Sequence, residues 1–474
     1  NCCGGPSAAL RGTRSLAYLF DMSRSLRSVR LASGHPRYVS QRSAKWMVFL
    51  AVFFALPVFA GVNIQHWATA SGAKVYFVEN RDIPMLDVAV DFPAGSSRDS
   101  AQKNGLARLT HILLDQGAGG LSDLEIAGRL ADVGAQLGGT FDRDRAGVSL
   151  RTLSSVRERD IAVGVLLRVL HSPAFPQAAI QRERDRLLAA LREEEAKPGE
   201  VGEKAFYAAL YGNAGYGLPD SGTANSLAKI NRTDLVKWHQ ARYRAGSAVI
   251  SIIGDLRREE AAQLAEQIAT GLPQGKAETV TRAQTPMPVT EKRIPHPSTQ
   301  SHVLMGLIGM SRNDPDFFPL FVGNHVLGGS GFDSRMVDEI RQKRGYAYSA
   351  YSYFLPMVQP GPFLIGLQTK NEQARDALKV ARETVSRFVA EGPNEAELAQ
   401  ARNNLVGGFP LRIDSNRKIL DYLRMIGFYQ LPLSYLDDWV NNVERVTLEQ
   451  IRDAFKRRID PARLSVIVVG GNAQ

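Results

Sequence analysis

Two stretches of the chain hold residues whose types and spacing can do chemistry. The first is Leu327–Tyr353, LGGSGFDSRMVDEIRQKRGYAYSAYSY, in which Arg341 and Tyr348 lie seven residues apart. Met336, Val337 and Ile340 share one face of a helix expected over Ser334–Lys343, which stops at Gly345 before a strand that begins near Ala347. Arg341 then sits in the last helical turn and Tyr348 at the strand start, so the break folds them towards each other. A guanidinium and a phenol OH aimed at one point can orient a peptide carbonyl and stabilise the oxyanion of its hydrolysis. The same two residues also have plainer uses. Arg341 can cap a helix C-terminus, and Tyr348 can pack in a sheet. The turn Gly328-Gly329-Ser330-Gly331 lacks the strand-GxxxxGK setting of a phosphate loop, which argues against a nucleotide.

The second stretch is Gly105–Gly117, GLARLTHILLDQG. Its apolar residues recur at three- and four-residue spacing, which predicts a buried helix carrying His111. One histidine without partners makes a poor metal site. His111 and Asp115 are four apart, but no second His or Glu joins them nearby. Glu193, Glu194 and Glu195 read as a solvated helix face rather than replacement ligands. His111 is therefore expected as a hydrogen-bonded core or cavity histidine.

The elements that must position these residues form an internal duplication. Leu235–Gly254 and Ile451–Gly470 align without a gap at a shift of 216 residues. Each reads as an amphipathic helix, a short turn with Gly or Pro, then a β-branched strand ending in Gly. The charged helices 182–195 and 395–408 take similar places in their halves. Strands Val75–Val78 and Val88–Phe92 open the first half, and Val303–Ile308 opens the second. Residues 271–290, with three prolines and two glycines, mark a linker. This order predicts an α+β fold of two homologous half-domains, 61–270 and 291–474. Each would be a mainly antiparallel sheet packed with helices, the two facing each other in a clamshell.

Over about 62–474 the chain resembles the pitrilysin/insulinase family of zinc metallopeptidases, of the two-domain, mitochondrial-processing-peptidase-like type. The family's first motif is a G-S-x-x-E/D turn followed by G-L-A-H-x-x-E-H-M-x-F-x-G. Its two histidines, four apart on one helix face, bind zinc with a distal Glu, and the Glu between them serves as base. Here Arg108, His111 and Ile112 stand at those three positions, and the distal Glu falls near Ala189 or Ala190. The resemblance therefore implies no metal in this chain. The family's edge strand, which pairs with substrate, corresponds to LGGTFDRDRAGVSL (137–150), where Gly138 and Gly139 weaken it. The second motif, L-G-G-x-x-S-R-L-x-x-E-I-R-x-K-x-G-L-A-Y-S-V-x-S, matches 327–353 closely and maps its Arg–Tyr pair onto Arg341 and Tyr348. The turn of Gly328, Gly329 and Gly331 is similar to the substrate-engaging glycine loop of processing-peptidase α-subunits. The resemblance implies a substrate-side subunit of a heterodimeric peptidase, with zinc in a homologous partner and unfolded peptide as substrate. A non-catalytic assembly protein of the same fold is the alternative.

The formal charge of +10 invites a nucleic-acid partner, but residues 1–60 carry eight Lys or Arg against Asp21, which leaves +3 for the remainder. No nucleic acid is expected. The only cysteines are Cys2 and Cys3, so the body has neither disulfide nor Cys-bound metal. Residues 47–59, MVFLAVFFALPVF, follow Arg42 and Lys45, and Val58 and Ala60 fit the small-residue pattern of a cleavage site. The run is too short for a comfortable span. It predicts a secretory signal cleaved after Ala60, with Met47 or Met22 as the real start, a periplasmic body, and membrane contact only through the signal. An uncleaved anchor is the other reading.

Overall fold

The structure is a computed structural model that describes residues 61–276 and 287–471. The expected signal sequence and half of the expected linker, residues 277–286, lie outside the described residues. Residues Asn63–Gln474 form one compact unit. Among the described residues no helix is long and apolar enough to cross a membrane.

The fold is α+β and duplicated. The first half contributes β1 (Gln65–Ala68), β2 (Lys74–Glu79), β3 (Met85–Phe92), β4 (Gln136–Phe141), β5 (Ala146–Leu153) and β6 (Val249–Gly254), in the order β1-β2-β6-β3-β5-β4. The second contributes β7 (Glu291–Ile294), β8 (Gln300–Ile308), β9 (Ala347–Phe354), β10 (Pro362–Lys370) and β11 (Ser465–Val469), in the order β7-β11-β8-β10-β9. Apart from β1 the two orders are the same. In each, one pair is parallel, β2 with β6 and β7 with β11, and the rest run antiparallel. The strands β6 and β11 read VISIIG and SVIVV and are buried throughout. Continuous apolar runs of this kind suit strands covered on both faces.

What covers the second face is an exchange. The first half's own helices, Leu106–Ile112 (α1), Asp123–Ala131 (α2), Val156–His171 (α3) and Gln177–Glu195 (α4), bury Val88, Val90 and Phe92 on one side of its sheet. The next helix, Pro198–Tyr211 (α5), leaves its own half and packs Phe206, Tyr207 and Leu210 against Leu364, Ile467 and Val469 of the second sheet. Each such side chain contributes about 1.5–3 kcal/mol by burial. Helix Asn416–Tyr429 answers it. Its Gly427 lies so close to Val249 and Tyr76 of the first sheet that a Cβ would clash with both. The two half-domains are the leaves of the clamshell, each lending the other a helix.

A buried ion pair marks this exchange. Both guanidinium arms of Arg424 donate to Asp91 at 2.7 Å, and both groups are almost fully buried. Gly147, opposite Asp91 in register, leaves room for the carboxylate, which a side chain there would displace. Burial alone would raise the Asp91 carboxyl, but the charge and hydrogen bonds of Arg424 hold it below the usual range. The hairpin tip between β4 and β5 makes a second tie. Asp144 accepts from Tyr216 and, across to the second half, from the Val358 amide at 2.8 Å and the Tyr429 hydroxyl at 3.2 Å.

Candidate functional site

The two stretches chosen for their chemistry lie beside the outer edge strands of the two sheets, β4 in the first half and β9 in the second.

At the second edge the helix expected over Ser334–Lys343 has a different winding. Arg335–Val337 is α-helical, with Ser334 as N-cap, and Asp338–Gln342 is a π-turn in which the Lys343 amide reaches the Asp338 carbonyl. His325–Gly329 is π-wound too. Such wide turns recur at functional sites because they redirect a side chain without ending the helix. Gly345, at φ +64°, closes the segment, and its amide caps the Arg341 carbonyl. Glu339 anchors it by accepting from Lys343 and Arg344. Arg335 anchors it by a bidentate pair with Glu397 at 2.7 Å.

This scaffold brings Arg341 and Tyr348 together. The guanidinium carbon lies 4.6 Å from the centre of the Tyr348 ring and 4.6 Å from that of Phe332. Tyr348 is 80% exposed and Phe332 57%. Among the described residues Arg341 has no ion pair or hydrogen-bonded side chain, so it neither caps the helix through its side chain nor joins a salt bridge. Tyr348 does not pack in the sheet. The site is a cation within reach of two exposed rings, with no side-chain hydrogen bond to the guanidinium or the phenol among the described residues. Phe332 was missed from sequence. An aromatic in an otherwise small and polar turn, GSGFDS, was the available signal.

The glycines divide. Gly328 is buried under β9, where a Cβ would strike Ser352. Gly331 takes a left-handed φ of +66° and turns the chain towards Phe332. Gly329 is exposed.

At the first edge α1 ends at Ile112, so Asp115 falls in the following turn and shares no helix face with His111. Asp99 accepts from the Gly105 and Ala107 amides at 2.7 and 3.0 Å and fixes the helix start. Ile112 packs against the first-half core. Arg108 stacks over Phe141 of β4, its guanidinium carbon 5.7 Å from the ring centre, and His111 stacks on the same ring at 5.5 Å. Gly139 makes space for the imidazole, since a Cβ there would sit 2.7 Å from it. His111 is not the hydrogen-bonded histidine expected: its Nδ1 is buried without a partner. Burial, then the charges of Arg108 and Arg424, push it down to about 4, with Asp91 opposing.

The family's zinc does not fit these residues. One position is a permanent cation, one is a core isoleucine, and one is a histidine kept neutral with a buried, unpartnered nitrogen. Among the described residues no group of three His, Cys, Asp or Glu is placed to hold a metal ion. Ala189 is exposed, Ala190 is half-buried, and Glu194 is paired with Lys204.

The insulinase (peptidase family M16) model matches residues 74–224, and the peptidase M16 inactive domain model matches 229–405. The crystal structure of a peptidase M16 inactive domain from Pseudomonas fluorescens superposes with a TM-score of 0.84 at 35% identity, covering 87% of this chain and 98% of that one. The chain belongs to the peptidase M16 family. The matches support a non-catalytic member of it. Among relatives, the non-peptidase homolog YmxG of Helicobacter pylori is 27% identical over 426 residues, 89% of this chain and 97% of that protein. The uncharacterized zinc protease YmxG of Bacillus subtilis is 23% identical over 414 residues, 86% of this chain and 99% of that protein. The M16 fold accounts for both the duplication and the clamshell.

Proposed function

We propose that this M16 protein is the substrate-side subunit of a heterodimeric peptidase that degrades or processes unfolded peptides in the periplasm. The observation that carries the reading is the Arg341–Tyr348 stack, whose phenol ring is exposed and whose guanidinium has no ion pair or side-chain hydrogen bond among the described residues. A cation and a phenol fixed on a sheet edge have no structural task to perform there. They suit a substrate carbonyl, whose developing negative charge the guanidinium and the phenol OH would orient and stabilise. Gly329 and Gly331 shape the turn that carries Phe332 beside them and would meet the same peptide, whereas Gly328, expected to do the same, is buried beneath β9. The metal would belong to a homologous partner bearing an intact zinc motif, and this chain would bind none. The signal-like run 47–59 and the small residues at 58 and 60 support export to the periplasm.

A non-catalytic assembly role is the second reading, favoured by the non-peptidase name of the Helicobacter pylori relative. Co-expression with a zinc-motif homologue, then size exclusion and a peptidase assay, separates the two. A stable heterodimer with activity is expected. Tyr348→Phe in that pair should lower kcat/KM by roughly 10²-fold, as loss of one oxyanion donor does. An unchanged kcat/KM would remove the substrate-side role, and activity in this chain alone with tightly bound zinc would overturn the proposal.

A further inference from the structure

We propose that Arg108 and the open edge of β4 form a carboxylate-binding site for an extended acidic peptide. The inference rests on the reading of this chain as a peptide-engaging subunit and adds a selectivity to it. Three observations carry it. Arg108 has no ion pair or hydrogen bond among the described residues, and its Nε is buried without a partner. The Arg108 guanidinium carbon lies 5.7 Å from the centre of the Phe141 ring, within cation–π reach, and its planar fork of donors matches a carboxylate. The acids near this edge are committed elsewhere: Asp91 to Arg424, and Asp115 to the Gln116 amide at 2.8 Å.

The strand β4 ends its sheet, so its outer backbone groups are free to pair with an added strand. A peptide laid along it passes Arg108 at the rim of α1. Neutral His111 beside it leaves the positive charge of Arg108 as the feature that an incoming residue meets. The position where the family holds a metal cation would thus hold an organic one, which attracts an anion but activates no water.

The test uses the full chain and fluorescein-labelled, unstructured peptides that differ only at a central Glu or Gln, both amidated at the C-terminus. A third peptide carries Gln and a free C-terminal carboxylate. Anisotropy should give tighter binding of the Glu peptide by on the order of ten-fold. R108Q should erase that preference while weak binding of both peptides persists. R108K should keep part of it, as a charge without the planar fork. R375Q, at an exposed arginine of the helix Ala374–Glu391, should leave it intact. Gain by the free-carboxylate peptide alone would support the site with a chain end as its ligand. Equal binding of all three peptides, or a preference that survives R108Q or vanishes with R375Q, would overturn the carboxylate site and leave peptide engagement standing. No binding of any peptide would overturn both.

Discussion

The two edges of this duplicated molecule began as equivalent positions and have opposite physical characters. At β9, Arg341 lies between two exposed rings on a π-wound segment anchored from behind by Arg335 and Glu339. At β4, Arg108 and His111 share one ring, half-buried, and the hairpin beyond them is tied into the other half. The lesson is that two edges of the same topology can be filled or left open by the side chains they carry. At the first edge the face has filled. Ile112 joins the core, and the imidazole settles against Gly139. The other edge has kept a polar cluster with no task inside the fold.

The comparison breaks most severely at the tie between halves. Arg424→Ala leaves the Asp91 carboxylate buried and uncompensated, which costs about 3–5 kcal/mol. Urea unfolding should show it. The double variant Asp91→Asn with Arg424→Met should recover most of the loss, because it removes both charges. A single-variant cost under about 1 kcal/mol would mean that the pair is far wetter than its burial implies. Because the Asp91 carboxyl is held low, the pair's contribution is present above the unfolded carboxylate range and lost only as pH falls below it.

Glycines sharpen the contrast at smaller cost. At the second edge a Cβ on Gly328 would strike both the amide and the hydroxyl of Ser352, so Gly328→Ala forces β9 outward. A destabilisation of about 1–3 kcal/mol is expected. At the first edge the nearest atom to a Cβ on Gly138 is the Ser149 hydroxyl at 3.4 Å, an ordinary contact. Gly138→Ala should be neutral or stabilising by a few tenths of a kcal/mol, about what reduced chain entropy supplies. Thermal melts of the two variants side by side check the pair. Equal effects would mean that β9 is not seated as described.

Much of this was legible in sequence because it rests on local pattern. The 216-residue repeat foretold matching strand orders, and the charged helix 395–408 appears with those bounds. Arg341 and Tyr348 meet because a glycine stop and a strand start leave little choice. What was not legible depends on distance in sequence. The exchange of α5 and Asn416–Tyr429 cannot be read from either helix, since each is amphipathic towards a sheet of the other half. Asp91 and Arg424 lie 333 residues apart. The alternating charges Asp142, Arg143, Asp144 and Arg145 look like a solvated turn until the second half closes over Asp144. The π-winding escapes periodicity because a single wide turn shifts the apolar stripe by only one residue.

The last predicted effect, absent near pH 7, concerns the histidine of the first edge. His111 is held down to about 4 in the folded chain, against an ordinary value of 6.5. Between those values the unfolded chain takes up a proton that the folded chain refuses. Stability therefore rises with pH across that interval and is flat on this account above it. His111→Gln removes the titration and keeps a polar side chain of similar reach. The wild-type-minus-variant difference in unfolding free energy should be constant near pH 7, then shift against the wild type as pH falls from about 6.5 towards about 4. Phe332→Leu at the opposite edge, which exchanges no proton, provides the flat control. Urea midpoints at pH 7 and pH 4.5 are sufficient to read it. A difference that stays flat for His111→Gln would mean that the imidazole protonates freely, and that water reaches the first edge as it reaches the second.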